Sequence, residues 1–426
     1  MTKKRICLIA YKPVRQTIHA LRLIDYLTPH YDLTVIGHGD PDPAWPPLDW
    51  HAVPRQDRGS QLIKLGWYLL GRAAPLCFET WYWGIARHRQ ALAHAVASRA
   101  DAFHAHDWEA LPIAIAAARR TGGKVVFDMR EYSEEEGTDR FLWRLLIQPA
   151  MRHFIRTYAA DPEVPVAGSI TVCEPIARRY REELGLEPVV VYNAPRPVAV
   201  PPRNDEANGK IRLIHHGYAQ RGRGLPQLIE ALARADRRFT LDFMLVEDSP
   251  GHLDELKHLA ARMAPGRVHF RAPVRPGEIV RTVAAYDVGF CVIAPVCYNQ
   301  WMMLPNKLFE FIQAGLAVCV GPSPAMAGLV KQHGVGVVTA GFTPSEIAAT
   351  LNQLTEPELD EMRQAARRAG AVLHADVEMA KVVALYRQLF GEDDTVVTSV
   401  VEGTRGDGGT KEQVASSAGV GGRGRR

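Results

Sequence analysis

The chain has 426 residues, 47% of them hydrophobic and 23% charged, with 51 Lys plus Arg against 47 Asp plus Glu and a formal charge of +4. That length exceeds what one hydrophobic core organises, so two domains are expected. The near balance of charge argues against a nucleic-acid partner. Cys7, Cys77, Cys173, Cys291, Cys297 and Cys319 are scattered and form no C-x-x-C pair, which points to a reducing, cytoplasmic setting. The basic start Met1-Thr2-Lys3-Lys4-Arg5 is followed by an apolar run of residues 6–10 only, a first strand rather than a signal peptide, and no uninterrupted apolar run reaches bilayer-spanning length.

In chain order, residues 6–10, 33–36, 102–105, 125–128, 170–172 and 189–192 form β-rich apolar runs separated by helical patterns, the signature of a parallel sheet covered on both faces. Lys12 and Arg15, after the first strand, suit either an acceptor phosphate or the surface. Residues 63–89 interleave Trp67, Tyr68, Phe78, Trp81, Tyr82 and Trp83 with Lys64, Arg72, Arg87 and Arg89. This pattern fits either a membrane interface, with a lipid-linked acceptor, or a core helix. Strand ends carry His104-Ala105-His106-Asp107 and Asp128-Met129-Arg130-Glu131. The histidines can line a cleft or, with Asp107, cap the next helix, and the run Glu134-Glu135-Glu136 reads as a solvated loop.

A proline-rich stretch, Ala194-Pro195-Arg196-Pro197-Val198-Ala199-Val200-Pro201-Pro202, marks a linker. The alternation then restarts at 212–216, 241–246, 268–270, 288–292 and 317–320. The expected organisation is an N-terminal domain 1–194, a linker 195–209, a second domain 210–376, a helix 377–391 and a disordered tail 392–426. The tail is rich in Gly, Ser, Thr and charge and poor in apolar residues.

Two motifs in the second half suit a phosphorylated ligand. His215-His216-Gly217-Tyr218-Ala219-Gln220-Arg221-Gly222-Arg223-Gly224-Leu225 lies between a strand and a helix, where backbone can approach phosphate and arginines can add charge. Leu304-Pro305-Asn306-Lys307-Leu308-Phe309-Glu310 runs to Gly315. Proline suits the first helical turn and glycine a left-handed stop, and the positive end of the helix favours an anion in front of Asn306. Taken alone, Lys307 and Glu310 also read as a helix-surface pair at a spacing of three.

These segments resemble the donor site of retaining GT-B glycosyltransferases, family 4-like, in the branch with a Pro-Asn-Lys-Leu-Phe-Glu run. The resemblance covers residues 1–390 and implies two Rossmann-like doubly wound domains facing a central cleft, the first binding the acceptor, with the final helix crossing back to it. It implies transfer of a sugar from a UDP- or GDP-linked donor to a hydroxyl of a glycan, a lipid-linked sugar or a small molecule, with retention and no metal or other cofactor. Glu310 would hold the ribose, Gly217, Arg221, Asn306 and Leu308 the diphosphate, and Ala272, in Ala272-Pro273-Val274, the base. Arg223, Lys307, His106 and Glu131 would serve the reaction. Three positions depart from the family pattern: Met302 stands where a sugar-contacting Glu is usual, Arg130 where a His is, and Tyr218 where an Arg is. A scaffold of impaired activity or a nucleotide-sugar epimerase on the same fold are the alternatives.

Overall fold

A computed structural model describes residues 3–14, 17–43, 45, 47–54, 59–200 and 209–392. The expected tail from 393 onward, part of the linker, Arg15 and the Lys12 side chain lie outside the described residues.

All paired strands run parallel and form two sheets. The first has seven strands in the order β3-β2-β1-β4-β5-β6-β7: β1 (Arg5–Pro13), β2 (Asp32–His38), β3 (Asp49–Ala52), β4 (Ala102–His106), β5 (Lys124–Arg130), β6 (Val166–Thr171) and β7 (Pro188–Val190). The second has six in the order β10-β9-β8-β11-β12-β13: β8 (Ile211–Ala219), β9 (Phe239–Glu247), β10 (Val268–Arg271), β11 (Val288–Cys291), β12 (Ala317–Val320) and β13 (Gly336–Val338). Helices flank both sheets, so β4, β11 and β12 are buried along their whole length, which is why their sequences read as continuous apolar runs. In each sheet the strand order reverses once, between β1 and β4 and between β8 and β11, and the crevice at such a reversal is where doubly wound sheets bind ligands.

Two short strands escape the sequence pattern. β3 (Asp-Trp-His-Ala) is an edge strand with no apolar run, and β13 has three residues and begins with glycine. The helix Ala375–Phe390 packs Met379, Val382, Val383 and Tyr386 into the first sheet's core beside Ile6, Leu8 and Val35. The Tyr386 hydroxyl lies 2.8 Å from His104 Nδ1. The aromatic run resolves as core: Tyr68, Phe78, Trp81 and Tyr82 are buried, and half-buried Trp83 donates to the Tyr158 hydroxyl. Glu134, expected in a solvated loop, is buried under Arg152 and Arg156, because an acid removed from water needs cationic partners. Among the described residues no helix is long and apolar enough to cross a membrane.

One close approach sets the height of the helix Asn306–Gln313 on its sheet. A Cβ on Gly289 in β11 would lie 2.2 Å from the Phe311 ring, so only glycine lets that ring seat. Gly289→Ala should therefore cost about 1–3 kcal/mol by overpacking. Gly328→Ala, in the helix Pro324–His333 where the new methyl meets open space, should add about 0.4–1 kcal/mol. Urea unfolding of both variants checks the pair, and equal effects of one sign would contradict the packing.

Candidate functional site

The second sheet's reversal point opens into a cavity of about 540 Å³. Its wall is built from the end of β8, the loop to the helix Leu225–Arg234, the segment after β10 and the start of the 306–313 helix, with Ile18 reaching in from the first half. Pro305 precedes that helix in extended conformation with no side-chain cap, and Gly315 stops it at φ 72°. A helix start leaves its first amides without intrahelical acceptors, here those of Asn306 and Lys307.

Lys307 and Glu310 do not form a surface pair. Lys307 Nζ lies 3.0 Å from His215 Nε2, while His215 Nδ1 lies 2.7 Å from the Phe290 carbonyl. A carbonyl only accepts, so Nδ1 carries the proton and Nε2 offers its lone pair to the ammonium. Burial and the Lys307 charge hold His215 well below the usual histidine range, and the same causes push His216 down to about 3. Both rings are thus neutral. Glu310 Oε2 sits 3.3 Å from His216 Nε2. Burial pushes the Glu310 carboxyl up to about 7, against the opposing charges of Lys307 and of Arg22, which comes from the first half. Burial likewise lowers Lys307.

Across the cavity, Gly217 has φ 133°, and a Cβ there would come within 3.2 Å of Lys307 Nζ. A side chain at 217 would therefore crowd the ammonium. Arg223 lines the same space, with Nε donating to Gln220 at 2.9 Å. The cavity thus gathers Gly217, Arg223, Asn306, Lys307 and Glu310.

The other expected residues fall elsewhere. Arg221 is exposed and makes a bidentate pair with Glu255 at 2.7 and 2.6 Å, outside the cavity wall. Leu308 is buried in the core and its amide donates to the Pro305 carbonyl at 3.0 Å. Ala272 faces a neighbouring hollow, while Pro273 and Val274 line the cavity. His106 is buried, its Nδ1 2.9 Å from Asp128 Oδ2, because β4 and β5 place those two residues in register. Asp107 accepts from the Trp108 amide, as a cap. Glu131 accepts from Asn299 Nδ2 at 2.6 Å across the two halves.

Three departures from the family pattern have visible settings. Tyr218 is 65% exposed on the cavity rim. The Met302 carbonyl accepts from Cys173 Sγ at 3.1 Å. Arg130 adopts φ 56°, a strained conformation for a non-glycine residue, and its buried Nε has no hydrogen-bond partner. The sequence shows no metal-ligand spacing, yet the fold brings ligand atoms of buried His19, His106 and Asp128 within 4.8 Å of one another. Against the cost of its burial, His19, His104 and His106 hold Asp128 well below the carboxylate range. Sequence reasoning placed His215 and His216 at the start of the glycine-rich turn without giving them a role, and passed over Asn299 and Arg22.

A larger hollow of about 840 Å³ lies at the start of β5 beside the 375–390 helix. Its Arg119 is paired with Asp161, and Lys124 donates to the Leu389 carbonyl, so its cations are already engaged.

No family model and no curated protein matches the chain. Solved structures do. HepE of Anabaena bound to UDP is similar over 90% of this chain and 100% of its own, at 15% identity and TM-score 0.65. Sucrose-phosphate synthase of Thermosynechococcus elongatus is similar over 91% and 100%, at 13% identity and TM-score 0.65. WaaG, a glycosyltransferase involved in lipopolysaccharide biosynthesis, is similar over 89% and 98%, at 16% identity and TM-score 0.58. The fold is GT-B. In this GT-B chain the cavity lies at the strand-order reversal of the second sheet.

The raised Glu310 carboxyl gives a stability signature. The native state holds that proton more tightly than the unfolded chain, so its contribution is complete below the ordinary value of 4.5 and is lost as pH rises to about 7. In the ligand-free protein Glu310→Gln should therefore raise the melting temperature more at pH 8 than at pH 5. A difference that is constant, or that grows toward acid, would contradict a buried carboxyl.

Proposed function

We propose that the chain is a glycosyltransferase that moves a sugar from a nucleoside diphosphate sugar to an acceptor hydroxyl with retention at the anomeric carbon. The observation that carries this reading is the pairing, in one cavity, of two cations and free helix amides with a buried carboxylate one turn further along the same helix. Arg223, Lys307 and the amides of Asn306 and Lys307 suit a diphosphate. Glu310 suits paired ribose hydroxyls, and Pro273 and Val274 suit the base. HepE and a trehalose-6-phosphate enzyme of E. coli have been solved with UDP or a UDP-sugar bound, which favours a uridine donor.

In this reading no protein nucleophile is required. As the glycosidic bond breaks, charge gathers on the diphosphate oxygen, where fixed cations and amides gain strength without reorganising. The neutral His215 holds Lys307 in place without competing with it for an anion. The acceptor enters from the first sheet's side of the cleft, and His106 and Glu131 contribute there by shaping the wall. A second reading, nucleotide binding without transfer, is favoured by Met302 at the sugar-contact position and by the engagement of Glu131 with Asn299.

Incubation of the purified chain with a panel of UDP- and GDP-sugars, followed by mass spectrometry, separates the two: transfer or slow donor hydrolysis supports the enzyme, and binding without turnover the second reading. Glu310→Ala should weaken nucleoside diphosphate binding by about 1.5–3 kcal/mol, with a smaller loss for a ligand lacking ribose hydroxyls. Arg223→Ala should lower turnover at saturating donor by on the order of a hundredfold, Arg223→Lys by less, and Arg221→Ala should leave binding unchanged. Calorimetry and initial rates check the set. Unchanged binding in both Glu310→Ala and Arg223→Ala would remove the nucleotide from this cavity.

A further inference from the structure

The first half carries a surface that the proposed transfer does not use. Leu65, Leu69, Leu70 and Leu76 are 39%, 52%, 58% and 74% exposed, and Phe141 and Leu142 are each 65% exposed. The four leucines lie on the consecutive helices Gly59–Ala73 and Leu76–Gly84, and the two other residues immediately precede the turn Trp143–Ile147. The helix Gly59–Ala73 packs on both other segments, and Arg72 Nη1 donates to the Leu145 carbonyl at 2.9 Å. The exposed apolar side chains therefore lie on neighbouring segments. Exposed apolar side chains clustered in this way mark interaction sites.

The exposed charge on these segments is mainly positive, with Asp139 beside Arg140 and half-buried Glu79 as the nearby acids. Residues 59–78 contain Lys64 and Arg72 and no Asp or Glu, and residues 140–160 contain Arg140, Arg144, Arg152 and Arg156 and no Asp or Glu. Lys64 is turned over the Tyr68 and Trp81 rings, but Arg72, Arg140 and Arg144 are exposed. A groove of about 380 Å³ beside the face is walled by Arg72, Arg152, His153 and Arg156. Its acids are engaged: Glu79 pairs with His153 and Glu135 with Arg152, and Glu134 is buried under the Arg152 and Arg156 guanidiniums, whose side chains remain 43% and 53% exposed.

We propose that this face seats on an anionic lipid bilayer. Leu69, Leu70, Leu76 and Phe141 enter the boundary between headgroups and acyl chains, and the flanking arginines meet lipid phosphates. An amphipathic helix with an apolar face and a cationic margin binds in this way, by buried apolar area and by attraction to negative lipid together. The aromatic residues of the same stretch face inward and anchor the two helices to the protein. The seat lies on the first half, and none of its residues lines the cavity at Glu310.

Sedimentation with vesicles tests this independently of nucleotide chemistry. The full chain should sediment with vesicles of equal parts phosphatidylcholine and phosphatidylglycerol, and at least about tenfold less with phosphatidylcholine alone or in salt of about 1 M, where screening is nearly complete. Leu69→Glu with Leu76→Glu should abolish recovery, and Arg140→Glu with Arg144→Glu should reduce it to the neutral-vesicle level. Both pairs should melt as the parent does, since all four side chains are exposed. Equal sedimentation with both lipids, or full recovery of the leucine variant, would overturn the proposal. So would a stable dimer of the parent that the leucine variant splits, since the face would then be an interface between copies of this chain.

Discussion

Much of the second half depends on a neutral histidine holding an ammonium. Lys307 Nζ approaches His215 Nε2 at 3.0 Å only because the Phe290 carbonyl fixes the proton on the other ring nitrogen. A charged imidazole would repel the lysine. Two strands and a helix converge on this contact: β8 supplies the ring, β11 the carbonyl, and the 306–313 helix the cation, with its height set by Phe311 over Gly289. Gly217 completes the arrangement by leaving the space above the ammonium open. An anion placed there meets a cation that has no competing carboxylate partner within ion-pair distance among the described residues.

A shared apolar cluster and specific polar contacts join the halves. Asn299 bridges to Glu131 and to the Tyr132 amide, and Cys173 donates to the Met302 carbonyl. Arg22 brings a half-buried positive charge toward Glu310. Burial of the Glu310 carboxyl carries a desolvation cost, which the proposed contact with ribose hydroxyls would offset. The first half adds its own polar network on Asp128, and strain at Asp107 and Arg130 marks the ends of β4 and β5. Strained residues at strand ends facing a crevice accord with a site assembled from both halves.

Local signals in the sequence were legible because their physics is local. Pro305 and Gly315 bracket the helix, and the continuous apolar runs of β11 and β12 announce strands buried on both faces. Partnerships across long separations were not legible. His215 lies 92 residues from Lys307, and Asn299 lies 168 from Glu131. Arg221 stands beside the glycine turn in sequence, yet Glu255, 34 residues away, takes its guanidinium. Spacing identified residues 63–89 as amphipathic without telling which side faces water. The aromatic residues were drawn inward and the leucines left outside, because the large rings fill the core beneath and no element among the described residues covers the leucines.

The most direct measurement is a crystal structure of the full chain with UDP. The account predicts ribose hydroxyls at the Glu310 carboxylate, the diphosphate between Arg223 and the Asn306 and Lys307 amides, and the base against Pro273 and Val274. Nucleotide bound instead in the hollow beside β5, or a ribose turned away from Glu310 with Lys307 still held by His215 alone, would contradict it.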